Sequence, residues 1–132
     1  MSILVTGGAG FIGSAMIWAL NQRGYTDIVV VDNLGKTNKW RNLVGLSYHR
    51  YIHKDEFLPL LKTRYMEGRI EAIIHMGACS STTEADCDYL IHNNLEYSKA
   101  MCRLAMERDA RFIYVGSAAN YCVGANGFVF YD

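Results

Sequence analysis

Thr6-Gly7-Gly8-Ala9-Gly10-Phe11-Ile12-Gly13 decides how the rest of the chain reads. A short apolar run, Ile3-Leu4-Val5, leads into it, and an apolar-periodic segment from Phe11 to Leu20 leads out. Gly24 breaks that period, Ile28-Val29-Val30-Val31 follows as a second β-rich run, and Asp32 closes it. The order is strand, glycine turn, helix, strand, acid. Gly7 or Gly8 allows the positive φ that a turn from strand to helix needs. Gly10 lets the backbone approach a pyrophosphate, and Gly13 lets the helix pack closely on the sheet. The helix start offers free N–H groups and the positive end of its dipole to phosphate. Asp32 stands near the spacing of about 20 residues expected of an acid that holds adenosine ribose hydroxyls. A glycine triplet alone also fits a ligand-free turn. Strands on both sides, with the acid after the second, turn the reading towards a dinucleotide site.

Composition sets the bounds. A chain of 132 residues reads as one domain, long enough to bury a core. Lys+Arg and Asp+Glu are both 13, so the net charge is zero and nothing points to nucleic acid or another polyanion. No apolar run approaches the length of a membrane span. Ser2-Ile3-Leu4-Val5 has neither the basic flank nor the length of a signal peptide, so a cytoplasmic location is expected. Cys79, Cys87, Cys102 and Cys122 show no C-x-x-C pairing and read as free thiols, with no metal site.

Three further β-rich runs alternate with helical patterns. Asn33 to Ser47 is a polar, basic loop with Lys36, Lys39 and Arg41, and room for one helical turn near Trp40 to Val44. A lone acid after the second strand favours NAD, whereas adjacent Lys or Arg accommodates the 2′-phosphate of NADP. Tyr48 to His53 reads as the third strand. Glu56 to Glu67 reads as a helix with Pro59 in its first turn, where a missing N–H costs little. Ala72-Ile73-Ile74-His75 is the fourth strand, with His75 a packed residue at its end. The hydroxyl-rich Cys79-Ser80-Ser81-Thr82-Thr83-Glu84 follows at the strand's carboxyl end, where ligands bind in open α/β sheets. Thr83 or Asp86 can cap the next helix. Asp88 to Arg108 is the longest helical pattern, interrupted by Asn93-Asn94. An amide on its sheet-facing side implies a ligand or a backbone contact. Phe112 to Val115 is the fifth strand. The expected fold is a Rossmann-type doubly wound parallel sheet in order 3-2-1-4-5 with helices on both faces. Residues 1–132 then form one dinucleotide-binding domain, which the family resemblance given below implies to be incomplete, cut before a sixth strand and a substrate-binding part.

Thr-Gly-Gly-Ala-Gly-Phe-Ile-Gly at 6–13 resembles the opening of the extended short-chain dehydrogenase/reductases, which include nucleotide-sugar epimerases and dehydratases. Val-Asp-Asn-Leu at 31–34, His-Met-Gly-Ala-Cys-Ser-Ser-Thr-Thr-Glu at 75–84 and Asn-Asn-Leu-Glu-Tyr-Ser-Lys at 93–99 narrow the resemblance to the ADP-L-glycero-D-manno-heptose 6-epimerase family. The likeness runs from Met1 to about Tyr121, and the stretch from Gly77 to Glu84 is its most specific part.

The resemblance implies cofactor contacts at Gly7, Gly10 and Gly13, with Phe11 and Ile12 at the pyrophosphate. It places Asp32 and Asn33 at the adenosine ribose, and Lys39 and Lys54 near its phosphate and adenine end. Met76, Gly77, Ala78, Cys79 and Ser80 would pass under the cofactor, and Asn93 would reach it from the long helix. Ser117 matches the hydroxyl that hydrogen-bonds substrate. NADP is the implied cofactor, with NAD as the alternative. The implied substrate is an ADP-heptose of the lipopolysaccharide core pathway, inverted at C6″ by oxidation and re-reduction. A homo-oligomer is expected of the full-length form.

Met76 stands where the family commonly has Glu, Gly116 replaces Ser, and Asn120 and Cys122 replace Thr and Gly. The family's Tyr-x-x-x-Lys pair does not occur in these residues. The 132-residue chain alone is therefore expected to bind cofactor weakly and to turn over no substrate. Its fifth strand is expected to present an apolar edge that promotes self-association. Another nucleotide-sugar epimerase or dehydratase, or a cofactor-binding fragment without catalysis, are the alternatives.

Overall fold

A computed structural model describes residues 1–61, 68–78 and 84–116. The chain runs β1 (Ser2–Thr6), α1 (Phe11–Gln22), β2 (Ile28–Asp32), a 3-10 helix (Asn38–Leu43), β3 (Arg50–His53) and α2 (Lys54–Leu61). It continues with β4 (Ile70–His75), α3 (Cys87–Leu90), a π turn (Ile91–Glu96), α4 (Tyr97–Arg108) and β5 (Arg111–Tyr114). The strands pair in parallel, in the order β3-β2-β1-β4-β5 that the sequence leads one to expect.

Buried parallel strands must be apolar on both faces. All five residues of β2 are buried, Asp32 among them. Alternation then sorts side chains to the two faces. Leu4, Val29, Val31 and Ile73 face Phe57 of α2 and Tyr97, Met101 and Leu104 of the long helix. Val5, Ile28, Val30 and Ile74 face Ile17 of α1 and Leu43 of the 3-10 helix. Each fully buried Ile or Phe contributes roughly 1.5–3 kcal/mol, so both layers hold the sheet between helices. The consequence for function is positional. Every strand-to-helix turn opens at the same edge, where β1, β2 and β4 end in Thr6, Asp32 and His75.

Several boundaries differ from expectation, each for a local reason. The second helix begins at Lys54, directly after β3, with Asp55 and Glu56 in its first turn, where carboxylates favour the helix dipole. Pro59 consequently lies inside the helix and not in its first turn. β3 is shorter than read, since Tyr48 and His49 precede it. β4 starts two residues earlier because Ser2 and Ile70 extend its pairing with β1. Asp86 caps the next helix, accepting the Tyr89 N–H at 3.0 Å, while the other candidate, Thr83, lies outside the described residues. The helical turn of the basic loop is a 3-10 helix capped by the Thr37 hydroxyl.

Candidate dinucleotide site

The glycine turn is built backbone on backbone. Gly7 has φ +71°, and a Cβ on it would lie 2.8 Å from the Met76 carbonyl carbon and Gly77 nitrogen. A Cβ on Gly13 would lie 2.1 Å from the Gly7 carbonyl oxygen and 2.7 Å from Gly8 Cα. Gly13 therefore lets α1 press on the turn itself, more than on the sheet as the sequence reading has it. Gly10 differs. Its φ is −70°, open to any residue, and a Cβ there would meet one atom, the Gly7 oxygen at 3.2 Å. Neither backbone conformation nor crowding forces glycine at this position. The space beyond Gly10 is a cradle that a side chain would fill.

The helix start beside that cradle lacks the usual side-chain support. Gly10 occupies the N-cap without a side-chain hydrogen bond, and no acid stands in the first turn. Phe11 and Ile12 are 86% and 63% exposed, too much apolar surface for a turn that serves packing alone. An uncapped helix N-terminus of 12 residues, opening on a glycine turn, presents N–H donors and positive potential to an anion.

Asp32 holds the turn from below. Its Oδ2 accepts the Ala9 N–H at 2.8 Å, and its Oδ1 accepts the Asn33 N–H at 2.6 Å and the Lys39 ammonium at 2.5 Å. The carboxylate is 7% exposed, so this ion pair replaces hydration that burial removes. Asn42 completes the brace by donating its amide to the Ala9 carbonyl at 2.9 Å. The Ala9 N–H and carbonyl are thus held by the last residue of β2 and by the β2–β3 connection. Tyr51 Oη donates to the Asp32 carbonyl at 2.9 Å. Asn33 Oδ1 lies 3.3 Å from His53 Nε2 and accepts the Gly35 N–H.

The other expected residues gather nearby. Met76 and Gly77 close over Gly7, with both N–H groups donating to Thr6 Oγ1 at 3.2 and 3.1 Å. Ala78 follows them and is exposed. Lys54 Nζ donates to Asn93 Oδ1 at 2.6 Å and sits 5.0 Å from the centre of the Tyr89 ring. Asn93 is buried, on the inner side of the long helix. Cys79, Ser80 and Ser117 lie outside the described residues.

His75 is packed, as its place at a strand end implies. It is 1% exposed and stacks near Tyr97 and Phe112 at centroid distances of 6.2 and 6.4 Å, with the tilted Tyr114 ring at 5.8 Å. Its Nδ1 lies 2.5 Å from Thr6 Oγ1 and its Nε2 lies 2.8 Å from Ser98 Oγ. Burial lowers its pKa from 6.5 to about 4. Below pH 6.5 the unfolded chain therefore binds a proton that the folded chain refuses, and stability present above pH 6.5 is lost as pH falls towards 4. The loss across that window is about 3 kcal/mol. Urea midpoints should fall more steeply between pH 7 and 5 for the native chain than for His75→Gln. Parallel pH profiles would remove His75 as the cause.

A family model, the NAD dependent epimerase/dehydratase family, matches residues 3–128. The chain belongs to this family. Within it, the ADP-L-glycero-D-manno-heptose-6-epimerase of Nitratidesulfovibrio vulgaris is 54% identical over 125 residues, 95% of this chain and 39% of that protein. The enzyme of the same name from Fusobacterium nucleatum is 46% identical over 126 residues, 96% of this chain and 38% of that protein. The crystal structure of Helicobacter pylori ADP-L-glycero-D-manno-heptose-6-epimerase matches with a TM-score of 0.77 at 27% identity, covering 96% of this chain and 44% of that one. The chain thus spans about two fifths of the length of the curated relatives it matches.

For a member of an NAD-dependent family, the geometry separates the candidate surfaces. A cavity of about 680 Å³ lies between Thr26, Leu43, Tyr48 and His49 at the amino ends of β2 and β3. It is shallow and opposite the edge where open α/β sheets bind ligands. The glycine turn, the uncapped helix and Asp32 share the correct edge. Among the described residues no group of His, Cys, Asp or Glu could hold a metal ion, and no helix is long and apolar enough to cross a membrane. Asn42 and Ser98 were not singled out by sequence: a polar residue in a polar loop, or on a helix beside Lys99, carries no local signal of its partner.

Proposed function

We propose that the chain is the cofactor-holding part of an NADP-dependent nucleotide-sugar epimerase acting on ADP-D-glycero-D-manno-heptose, inverting its C6″ centre in the cytoplasm as a step in lipopolysaccharide core synthesis. The observation that carries the cofactor reading is Ala9, braced by Asp32 and Asn42 so that the turn faces the cradle at Gly10. In this reading the N–H groups of Phe11 and Ile12 bind pyrophosphate. Asp32 and Asn33 hold the adenosine ribose. Lys54 and Asn93 close the site from α2 and the π turn, Met76, Gly77 and Ala78 form its floor, and Cys79 and Ser80 would add cofactor contacts.

A nicotinamide cofactor held there would supply reversible hydride chemistry to the sugar. Ser117 would hold the reacting oxygen by a hydrogen bond. The similarity to heptose epimerases supports the substrate. The shared coverage of about two fifths makes epimerisation a proposal for the whole protein. Full-length gene product given ADP-D-glycero-D-manno-heptose should produce the C6″ epimer, read by proton NMR, without net change in added cofactor. Turnover of a UDP-hexose and none of the ADP-heptose would replace this substrate with another of the same family.

NADP is preferred because Lys39 stands on Asp32. A bare carboxylate repels a 2′-phosphate, and the ammonium offsets that charge at the ribose edge. Lys39→Ala should weaken NADP by roughly tenfold to a hundredfold, about 1.4 to 2.7 kcal/mol, while NAD changes little. Fluorescence titration of both cofactors decides it. A preference for NAD that is the same in the native chain and in Lys39→Ala would contradict the role given to the lysine.

A further inference from the structure

The segment Cys87–Arg108 would be one α-helix but for the π turn at Ile91–Glu96. A π turn accommodates an additional residue by shifting N–H groups from the carbonyl four residues back to the one five back, a rare arrangement found frequently at functional sites. Here the Tyr97 N–H reaches the His92 carbonyl. Buried Asn93 lies within this turn, its Nδ2 donating to Asn94 Oδ1 at 3.0 Å and its Oδ1 accepting Lys54 Nζ.

A directed chain of hydrogen bonds ends on the same turn. Thr6 Oγ1 accepts the Gly77 N–H, shares the Met76 N–H with its own carbonyl oxygen, and lies 2.5 Å from His75 Nδ1, where it donates if the ring is protonated on the far nitrogen. The imidazole proton then sits on Nε2 and is donated to Ser98 Oγ at 2.8 Å. That leaves the Ser98 hydroxyl hydrogen for the Asn94 carbonyl at 2.5 Å. The order of protons is fixed from the Ser98 end: the Asn94 carbonyl can only accept, so Ser98 donates to it, accepts from His75 Nε2–H, and leaves Nδ1 to accept from Thr6. Ser98 thereby supplies a donor to Asn94 where π geometry returns to α geometry.

We propose that His75 and Ser98 are positioning residues that hold this π turn open, and through it aim Asn93 and its partner Lys54 at the dinucleotide site. The cofactor role of Asn93 and Lys54 rests on the function proposed above. The hold on the π turn does not. An α-helix advances about 100° per residue, so taking one residue out of the turn would rotate everything before it by about that angle relative to α4. Asn93 would leave the inner face and Lys54 would lose its acceptor. The same chain starts at Thr6, whose hydroxyl also seats Met76 and Gly77 against Gly7. One imidazole therefore ties the floor of the glycine turn to the helix that carries Asn93.

Nitrogen-15 NMR of the native chain at pH 7 tests the proton order without any ligand. The His75 ring should show a protonated Nε2 and a bare Nδ1. The opposite tautomer would overturn the proposal, because Ser98 would then have to donate to the ring and not to Asn94. The second arm uses Ser98→Ala and Ser98→Thr. Ser98→Ala should shift the backbone amides of residues 91–96 and weaken NADP about tenfold with the unfolding midpoint nearly kept, and Ser98→Thr should restore both. Adding Asn93→Ala to Ser98→Ala should cost little more, whereas additive losses would show that the two residues act independently and overturn the coupling. Native chain that binds no NADP would remove the cofactor reading, while the tautomer and the amide shifts would still decide whether His75 and Ser98 hold the turn.

Discussion

Gly13→Ala is expected to cost the fold about 3 kcal/mol or more, a large share of the 5–15 kcal/mol typical of a domain. The methyl group would be placed 2.1 Å from the Gly7 oxygen and 2.7 Å from Gly8 Cα. Both are backbone atoms, so no rotamer change relieves the clash. Moving α1 outward would strip Ile17 from the layer it forms with Val5, Val30 and Ile74. Moving the turn instead would drive Gly7 towards Met76 and Gly77, which already lie where a Gly7 Cβ would be. Either route loses packing on a central strand. Urea or thermal unfolding of the purified variant reads the effect, with a fall in midpoint of roughly 10 °C or more. A midpoint within experimental error of the native chain would mean that α1 and the turn are not packed in this way.

Gly10→Val, by contrast, should leave the fold largely intact and remove cofactor binding. Its φ of −70° suits valine, and the nearest protein atom to a Cβ is the Gly7 oxygen at 3.2 Å, a contact that needs a shift of a few tenths of an ångström. The branches of valine would instead occupy the space assigned to the pyrophosphate. Affinity for NADP should drop by two orders of magnitude or more, about 2.7 kcal/mol, with far-ultraviolet circular dichroism unchanged. A folded variant that binds as tightly as the native chain would show that the cradle is not the site. The pair of glycines is informative because the two substitutions should fail in opposite ways: Gly13→Ala in stability, Gly10→Val in binding.

What sequence could show here follows from how local each determinant is. The sheet order was legible because β2 is buried throughout and β1 and β4 are mostly so, each reading as a short apolar run, with breaks at Gly24 and Gly68. Glycine spacing showed the turn, since φ +71° at Gly7 and the contact at Gly13 each demand a missing side chain. The start of α2 differs from the reading because Pro59 draws attention as an N-terminal residue, whereas Asp55 and Glu56 set the first turn, four and three residues ahead of it. The π turn was not legible as such. Asn93-Asn94 marked the place, but the widening depends on Ser98, His75 and Thr6, which are brought together only by the pairing of β1 with β4 and the docking of α4. Asn42 was missed for the same reason: its partner is the Ala9 carbonyl, across the sheet edge.

Asp32 illustrates how one residue serves fold and site together. Its Oδ2 orients Ala9, its Oδ1 holds Lys39 and the Asn33 N–H, and its own carbonyl takes Tyr51. A ribose hydroxyl arriving at this carboxylate would meet a group already fixed in direction, which lowers the ordering cost of binding.

Amide chemical-shift mapping on addition of NADP tests the central claim most directly. The account predicts saturable shifts at Gly7 to Gly13, at Asp32 and Asn33, and at Met76 and Gly77, all lost in Gly10→Val. Absence of shifts at the glycine turn, or shifts confined to Thr26, Tyr48 and His49 at the opposite sheet edge, would contradict it.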